Sequence, residues 1–310
     1  MQNLIQIILS TPWLLWPAVV GVSLCVGSFL NVVILRLPRM MEQAWRQECE
    51  ALFAEEPGRS GQGLDSAQPG TEQDTDRGRG RSYGLSYPRS HCPECGNTIR
   101  AIDNIPVLSW LFLRGRCRNC GTGISVRYPA IEALTAVLSV LTVLILGTSV
   151  EALIALPLVW ALLALTVIDL ETTLLPDSIT LPLLWAGLVA SALGLGQVGL
   201  EAAFWGAVAG YLSLWSVYHL FRLLTGKEGM GHGDFKLLAA LGAWLGWTML
   251  PAVILLSSLV GAVVGIAMIA IRGHDRNIPI PFGPYLAAAG VIALWYGPEL
   301  LDLWLSLMRV

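Results

Sequence analysis

Apolar residues in this chain come in long runs divided by short polar breaks. The first run, Met1 to Leu35, holds no charged residue, and the first arginine is Arg36. A helix needs roughly 20 mostly apolar residues to cross a bilayer. On that criterion the pattern predicts spans at 13–35, 130–147, 152–170, 179–196, 202–224, 235–249, 251–271 and 283–305. The sixth is short, and Pro251 marks a turn between it and the seventh. The opening run lacks the basic segment of a secretory signal peptide, so it reads as a retained span. The expected fold is an all-α polytopic membrane protein. It has about eight transmembrane helices and a small cytoplasmic domain between helices 1 and 2.

Composition agrees with the pattern. The chain is 55% hydrophobic and 13% charged, which excludes an ordinary soluble domain. The net charge of -3 says little until the basic residues are placed. With the N-terminus outside, Arg36, Arg39, Arg100, Arg114, Arg116, Arg118, Arg127, Lys227, Arg272 and Arg276 all fall in inner loops. The outer connections near 148–151, 197–201 and 250 carry neither Lys nor Arg, and Arg309 is left outside. This points to a multi-pass membrane protein with its N-terminus outside.

The long inner loop has two parts. Residues 38–89 read as a cytoplasmic insert. Its 41–88 stretch is rich in Gly, Ser, Gln and Arg and is expected to be disordered. Its Arg77, Arg79 and Arg81 suit solvent or anionic lipid rather than nucleic acid. Residues 90–129 hold four of the six cysteines, as Cys92/Cys95 and Cys117/Cys120. Each C-x-x-C pair is followed by a glycine, Gly96 or Gly121, as a tight knuckle turn requires. Four thiolates around Zn²⁺ close a tetrahedron with no open position, so the expected metal is structural. His91 is a less favoured substitute ligand. A reducing inner compartment argues against a disulfide. The expectation is a zinc-ribbon-like domain with one Zn²⁺ per chain, replacing a core too small to build. Residues 1–37 are then the first transmembrane helix, and 130–310 the main membrane domain.

Carboxylates inside spans are expensive and suggest function. Asp169 closes the third span and Asp234 opens the sixth, both at the inner face. Such a pair could hold a metal, relay protons, or share one proton and activate water against an amide. Gly231 and Gly233 would let a substrate strand approach closely. Helix dipoles favour Asp234 as base, at a helix N-terminus, and Asp169 as acid, at a C-terminus. Asp177 reads as the cap of the fourth span. Lys236 reads as a neighbour of Asp234 or as a snorkelling interfacial lysine. Glu132 suits a helix-dipole role. His219 reads as a satisfied interfacial residue.

Four stretches then line up in order: "GSFLNVVILRLPRM", "HCPECGNTIRAIDNIPVLSWLFLRGRCRNCGTGISVRYPAIEALTA", "IDLETTLLPD" and "GMGHGDFKLLAALGAWLG". Together they resemble the type IV prepilin peptidases (prepilin leader peptidase/N-methyltransferases), membrane aspartic peptidases of the Gly-x-Gly-Asp type. The resemblance covers nearly the whole chain outside 41–88. It implies that 130–310 is an aspartic peptidase domain with Asp169 and Asp234 as its catalytic pair. The implied substrates are prepilins or type II secretion pseudopilins, cut at the cytoplasmic membrane face after a Gly. The implied second activity methylates the new N-terminal residue, usually Phe, with S-adenosylmethionine, and gives Glu132 an alternative role in binding the cleaved amine or the methyl donor. No strand–Gly-rich-turn–helix fingerprint locates the methyl-donor site. The competing reading is a proton- or cation-coupled transporter using the two aspartates, but no inverted repeat of broken helices supports it.

Overall fold

A computed structural model describes residues 9–54, 84–227, 229–272 and 281–308. The arginine run at 77–81 lies outside them. Among the described residues the chain is helical, with no strand and two isolated bridges. The helices are α1 (Pro12–Ala54), α2 (Leu108–Phe112), α3 (Arg127–Leu146), α4 (Val150–Thr172), α5 (Asp177–Ala192), α6 (Leu200–Thr225), α7 (His232–Leu245), α8 (Leu250–Arg272) and α9 (Gly283–Met308). Each predicted apolar segment falls on a helix. Among the described residues, four stretches are long and apolar enough to cross a membrane: Pro12–Leu52, Arg127–Leu146, Val150–Thr172 and Trp247–Met268. Helix α5 is a shorter apolar helix.

Helix α7 is the centre of the bundle. From Asp234 to Leu245 every residue except Lys236 is buried. A helix that is apolar all round belongs in an interior. Its Phe235, Leu237, Leu238 and Leu241 share one core with Leu158 and Leu162 of α4, Leu214 of α6, Val253 of α8 and Leu286 of α9. Its 14 residues span only about 21 Å, against roughly 30 Å of bilayer hydrocarbon.

The approach of α6 to α7 is set by glycine. A Cβ on Gly206 would strike the carbonyl oxygen of Gly242, and a Cβ on Gly242 would strike that of Gly206. One turn along α6, a Cβ on Gly210 would lie 2.6 Å from the Leu238 carbonyl oxygen. Gly206 and Gly210 form the small-x-x-x-small pattern by which membrane helices bring their backbones together. On α5, the Trp244 indole N–H donates to the Leu183 carbonyl at 2.9 Å.

A second core joins α1, α3 and α4 through Leu30, Ile34, Ile131 and Ile168. Three polar side chains along α3 bond internally. Thr135, Ser139 and Thr142 each donate back to the carbonyl four residues earlier. The Trp160 and Trp295 indoles then donate to the Ser139 and Thr142 hydroxyls at 2.8 and 3.0 Å. An apolar interior offers no water to do this.

The expectation for 38–89 needs correction. Helix α1 does not stop at the membrane exit but continues to Ala54. Residues 40–54 are dominated by Met, Glu, Gln, Ala, Arg and Leu, all good helix formers. Arg46 donates to Glu42 at 2.6 Å, a supporting i,i+4 pair. Averaging composition over 41–88 concealed this. Residues 55–83 lie outside the described residues. Where the chain returns, the Arg36 guanidinium donates to the carbonyls of Gly84, Leu85 and Pro88 at 2.9, 3.2 and 2.7 Å.

Gly206→Leu should wedge α6 from α7. Overpacking of this kind costs about 1–3 kcal/mol, and here the opposing group is backbone, which yields less than a side chain. A clear drop in unfolding temperature in detergent is expected. Gly21→Leu is the control, because a Cβ there meets nothing within 4 Å; it should leave the unfolding temperature unchanged.

Candidate functional site

Asp169 lies in the last turn of α4 and Asp234 in the first turn of α7, 4% and 6% exposed. They are 65 positions apart in the chain (234 minus 169) yet near enough to interact electrostatically. Leu175, in the loop after α4, packs between their surroundings. A Cβ on Gly233 would lie 2.7 Å from the Leu175 Cβ. A Cβ on Gly283 would lie 3.1 Å from the Leu175 Cδ2 and 2.6 Å from Asp169 Oδ2. Glycine at 283 thus lets the start of α9 touch the carboxylate, and the Gly283 N–H donates to Asp169 Oδ2 at 3.0 Å. Gly231 is the N-cap of α7, and its missing Cβ would point to within 3.7 Å of Asp234 Oδ2.

This geometry corrects three readings. Asp169 is at the N-terminus of α9 as well as the C-terminus of α4, so the helix-dipole argument no longer separates acid from base. Lys236 does not face Asp234 but donates to both carboxylate oxygens of Asp177, at 2.7 and 2.6 Å. Asp177 in turn is not a side-chain cap. Pro176 occupies the N-cap of α5, and no side chain caps it. The Lys236–Asp177 pair ties the start of α7 to the start of α5. A second pair, Arg127 with Glu171, ties the start of α3 to the end of α4. His219 stacks on Trp215 with ring centroids 4.1 Å apart and hydrogen-bonds the Trp215 carbonyl, as a satisfied interfacial residue should.

The second constellation is the cysteine segment. Its two halves are built alike. Cys92 N–H donates to Asn97 O and Gly96 N–H to Cys92 O; Cys117 N–H donates to Thr122 O and Gly121 N–H to Cys117 O. Gly96 and Gly121 take φ of 67° and 74°, the left-handed turn each knuckle requires. The bridges His91–Thr98 and Arg116–Gly123 close the two knuckles. All four sulfur atoms lie within 4.8 Å of one another, with Cys92 and Cys120 at 3.7 Å. Zn–S bonds of about 2.3 Å imply tetrahedron edges of about 3.8 Å, so the cluster fits such an ion. His91 stands aside, its Nδ1 3.0 Å from the Arg89 carbonyl. The Thr122 hydroxyl and backbone N–H beside Cys120 lower its thiol to about 6, while Cys92, 3.7 Å away, is raised to about 11.

Residues 21–146 match the bacterial peptidase A24 N-terminal domain, and residues 156–266 match the type IV leader peptidase family. Over 306 residues, 99% of each chain, this one is 53% identical to the prepilin leader peptidase/N-methyltransferase of Aeromonas salmonicida. The proteins of that name from Pseudomonas aeruginosa and Legionella pneumophila are 48% and 41% identical, over 92% and 97% of this chain and 91% and 98% of theirs. The chain belongs to the prepilin leader peptidase/N-methyltransferase family. No solved structure matches it significantly.

The two family matches divide the constellations between them. The four cysteines fall in the N-terminal match, with most of α1 and all of α3. Both aspartates fall in the leader peptidase match. Gly283 lies beyond both, and sequence reasoning passed over it. Its only local sign is a Gly-Pro step opening an apolar run.

Metal analysis of the purified chain should find about one zinc ion, the stoichiometry of a four-thiolate site. Cys92→Ser and Cys117→Ser should each lower that content sharply and expose 90–128 to protease. A metal-free native protein that resists protease there would contradict the site.

Proposed function

We propose that this chain removes the leader of type IV prepilins or type II secretion pseudopilins and then methylates the new amino terminus. Asp169 and Asp234 are its catalytic pair. One observation carries this reading: two carboxylates distant in sequence are buried together at helix ends, one of them held by the Gly283 N–H. One carboxylate takes a proton from water as the water oxygen attacks the scissile carbonyl carbon. The other, protonated, hydrogen-bonds the carbonyl oxygen. The tetrahedral intermediate collapses, the C–N bond breaks, and the departing nitrogen takes a proton from the pair. The Gly283 bond occupies Oδ2 of Asp169 and leaves Oδ1 for the water.

In this reading the chain passes through the bilayer eight times with the N-terminus outside, α7 being too short to fill its whole thickness, and both constellations face the cytoplasm. The distribution of basic residues supports that orientation. Residues 90–129 form a zinc-ribbon-like unit; Cys92, Cys95, Cys117 and Cys120 would hold the ion, and its role is to order the segment. Residues 130–310 form the peptidase domain. Gly231 and Gly233 admit the substrate strand. The methyl donor is S-adenosylmethionine, and proximity supplies much of the acceleration of the second reaction. The transporter reading loses support, because the named relatives are peptidases.

The test is incubation of purified protein with a prepilin in detergent, followed by mass spectrometry. The wild type should yield the shortened, methylated pilin. Asp169→Asn and Asp234→Asn should each cut cleavage by about 10²–10⁴-fold. Given a pilin already cleaved, the same variants should still add one methyl group. Cleavage near the wild-type rate by either variant removes the assignment of the pair.

A further inference from the structure

Glu132 is a buried acidic residue that neither constellation uses. It lies near the start of α3 and is 8% exposed. Three parts of the chain close over it. Gly27 of α1 packs on its backbone, where a Cβ would fall 2.8 Å from Glu132 Cα. The neighbouring Ser28 side chain hydrogen-bonds the carboxylate. From the cysteine segment, the Val107 N–H donates to Glu132 Oε2 at 2.7 Å. Val107 has a φ of 58° with ψ of -48°, a positive-φ conformation that a β-branched residue adopts only under constraint. Among the described residues no Lys, Arg or His forms an ion pair with Glu132.

Anchoring the Val107 N–H does not require a charge. A glutamine would accept the same hydrogen bond without burying an unpaired carboxylate, which is costly. We infer that Glu132 binds a cationic centre of the methyl-transfer reaction, either the sulfonium of the donor or the ammonium of the cleaved pilin. The inference rests on the methyltransferase half of the function proposed above.

Position supports it. The Arg127–Glu171 pair sets the register of α3 against α4. Glu132 is five residues inward of Arg127, about 7.5 Å along α3. Asp169 is two residues inward of Glu171, about 3 Å along α4. The two carboxylates therefore lie within about one helical turn of depth, roughly 4.5 Å, on neighbouring helices. Asn31 fixes the third side, donating to the Tyr128 carbonyl at 3.1 Å. In the transfer, the ammonium first gives a proton to solvent, and the lone pair of the resulting amine forms the new N–C bond as the methyl–sulfur bond breaks. Sulfur keeps that electron pair and becomes a neutral thioether, and the nitrogen later gives a proton to solvent.

The wild type is tested first, in detergent, against charged and uncharged forms of each ligand. S-adenosylhomocysteine lacks the sulfonium charge, and an N-acetylated mature pilin peptide lacks the ammonium. One uncharged form should bind about tenfold or more weakly than its charged counterpart, as a hydrogen-bonded charge pair implies. Which one does so identifies the source of the cation. In Glu132→Gln that preference should vanish, with zinc content and unfolding temperature kept because the Val107 bond survives. Equal affinities for charged and uncharged forms of both ligands in the wild type would overturn the inference without any variant. So would wild-type methylation kinetics in a folded Glu132→Gln protein. A wild type that never methylates cleaved pilin refutes the methyltransferase reading instead.

Discussion

Where α6 and α7 touch backbone to backbone, at Gly206 and Gly242, the position of everything on α7 is decided. Inside a bilayer there is no hydrophobic gain from pressing one apolar helix on another; shape and van der Waals contact must do it. A 14-residue helix cannot reach from one membrane face to the other. It has to be held at a chosen depth by its neighbours. The glycines let α6 grip α7 closely, and Trp244 keys it to α5. The depth of Asp234 follows from those contacts rather than from any property of the loop before it.

A carboxylate at that depth is tolerable only if the chain supplies polar partners. Asp169 finds one in the first N–H of α9, a group that a helix N-terminus leaves free. The Lys236–Asp177 and Arg127–Glu171 pairs stand around the two aspartates without neutralising them. Those two cations are thus engaged by carboxylates other than the catalytic candidates. Unpaired, those cations would compete for the carboxylates on which the chemistry depends.

Period and spacing made much of this legible beforehand. Apolar runs marked every long helix, because in hydrocarbon the backbone must satisfy itself locally. The doubled C-x-x-C-G pattern marked the sulfur cluster, because knuckle turns are short-range structures. What could not be read was pairing across distance. Lys236 meets Asp177 across 59 positions, and Gly283 meets Asp169 across 114. Nothing local to either residue names its partner. Lys236 looked like a neighbour of Asp234 because they are two positions apart, but residues i and i+2 of a helix point to different faces. The extension of α1 was missed for another reason. A window wide enough to judge disorder was wider than the helix it contained.

The three hydrogen bonds from Arg36 have a consequence for how such a chain can change. They seize the backbone at Gly84, Leu85 and Pro88 beside the point where α1 leaves the membrane region. The excursion is thereby closed at its neck, independently of what lies beyond Ala54. Closing a loop costs entropy that grows only with the logarithm of its length, about 0.6 kcal/mol for each doubling. Sequence can therefore be gained or lost between Ala54 and Gly84 at little energetic penalty, with the strain stopped at the neck. Even a whole folded domain spliced there would leave the helices below in register.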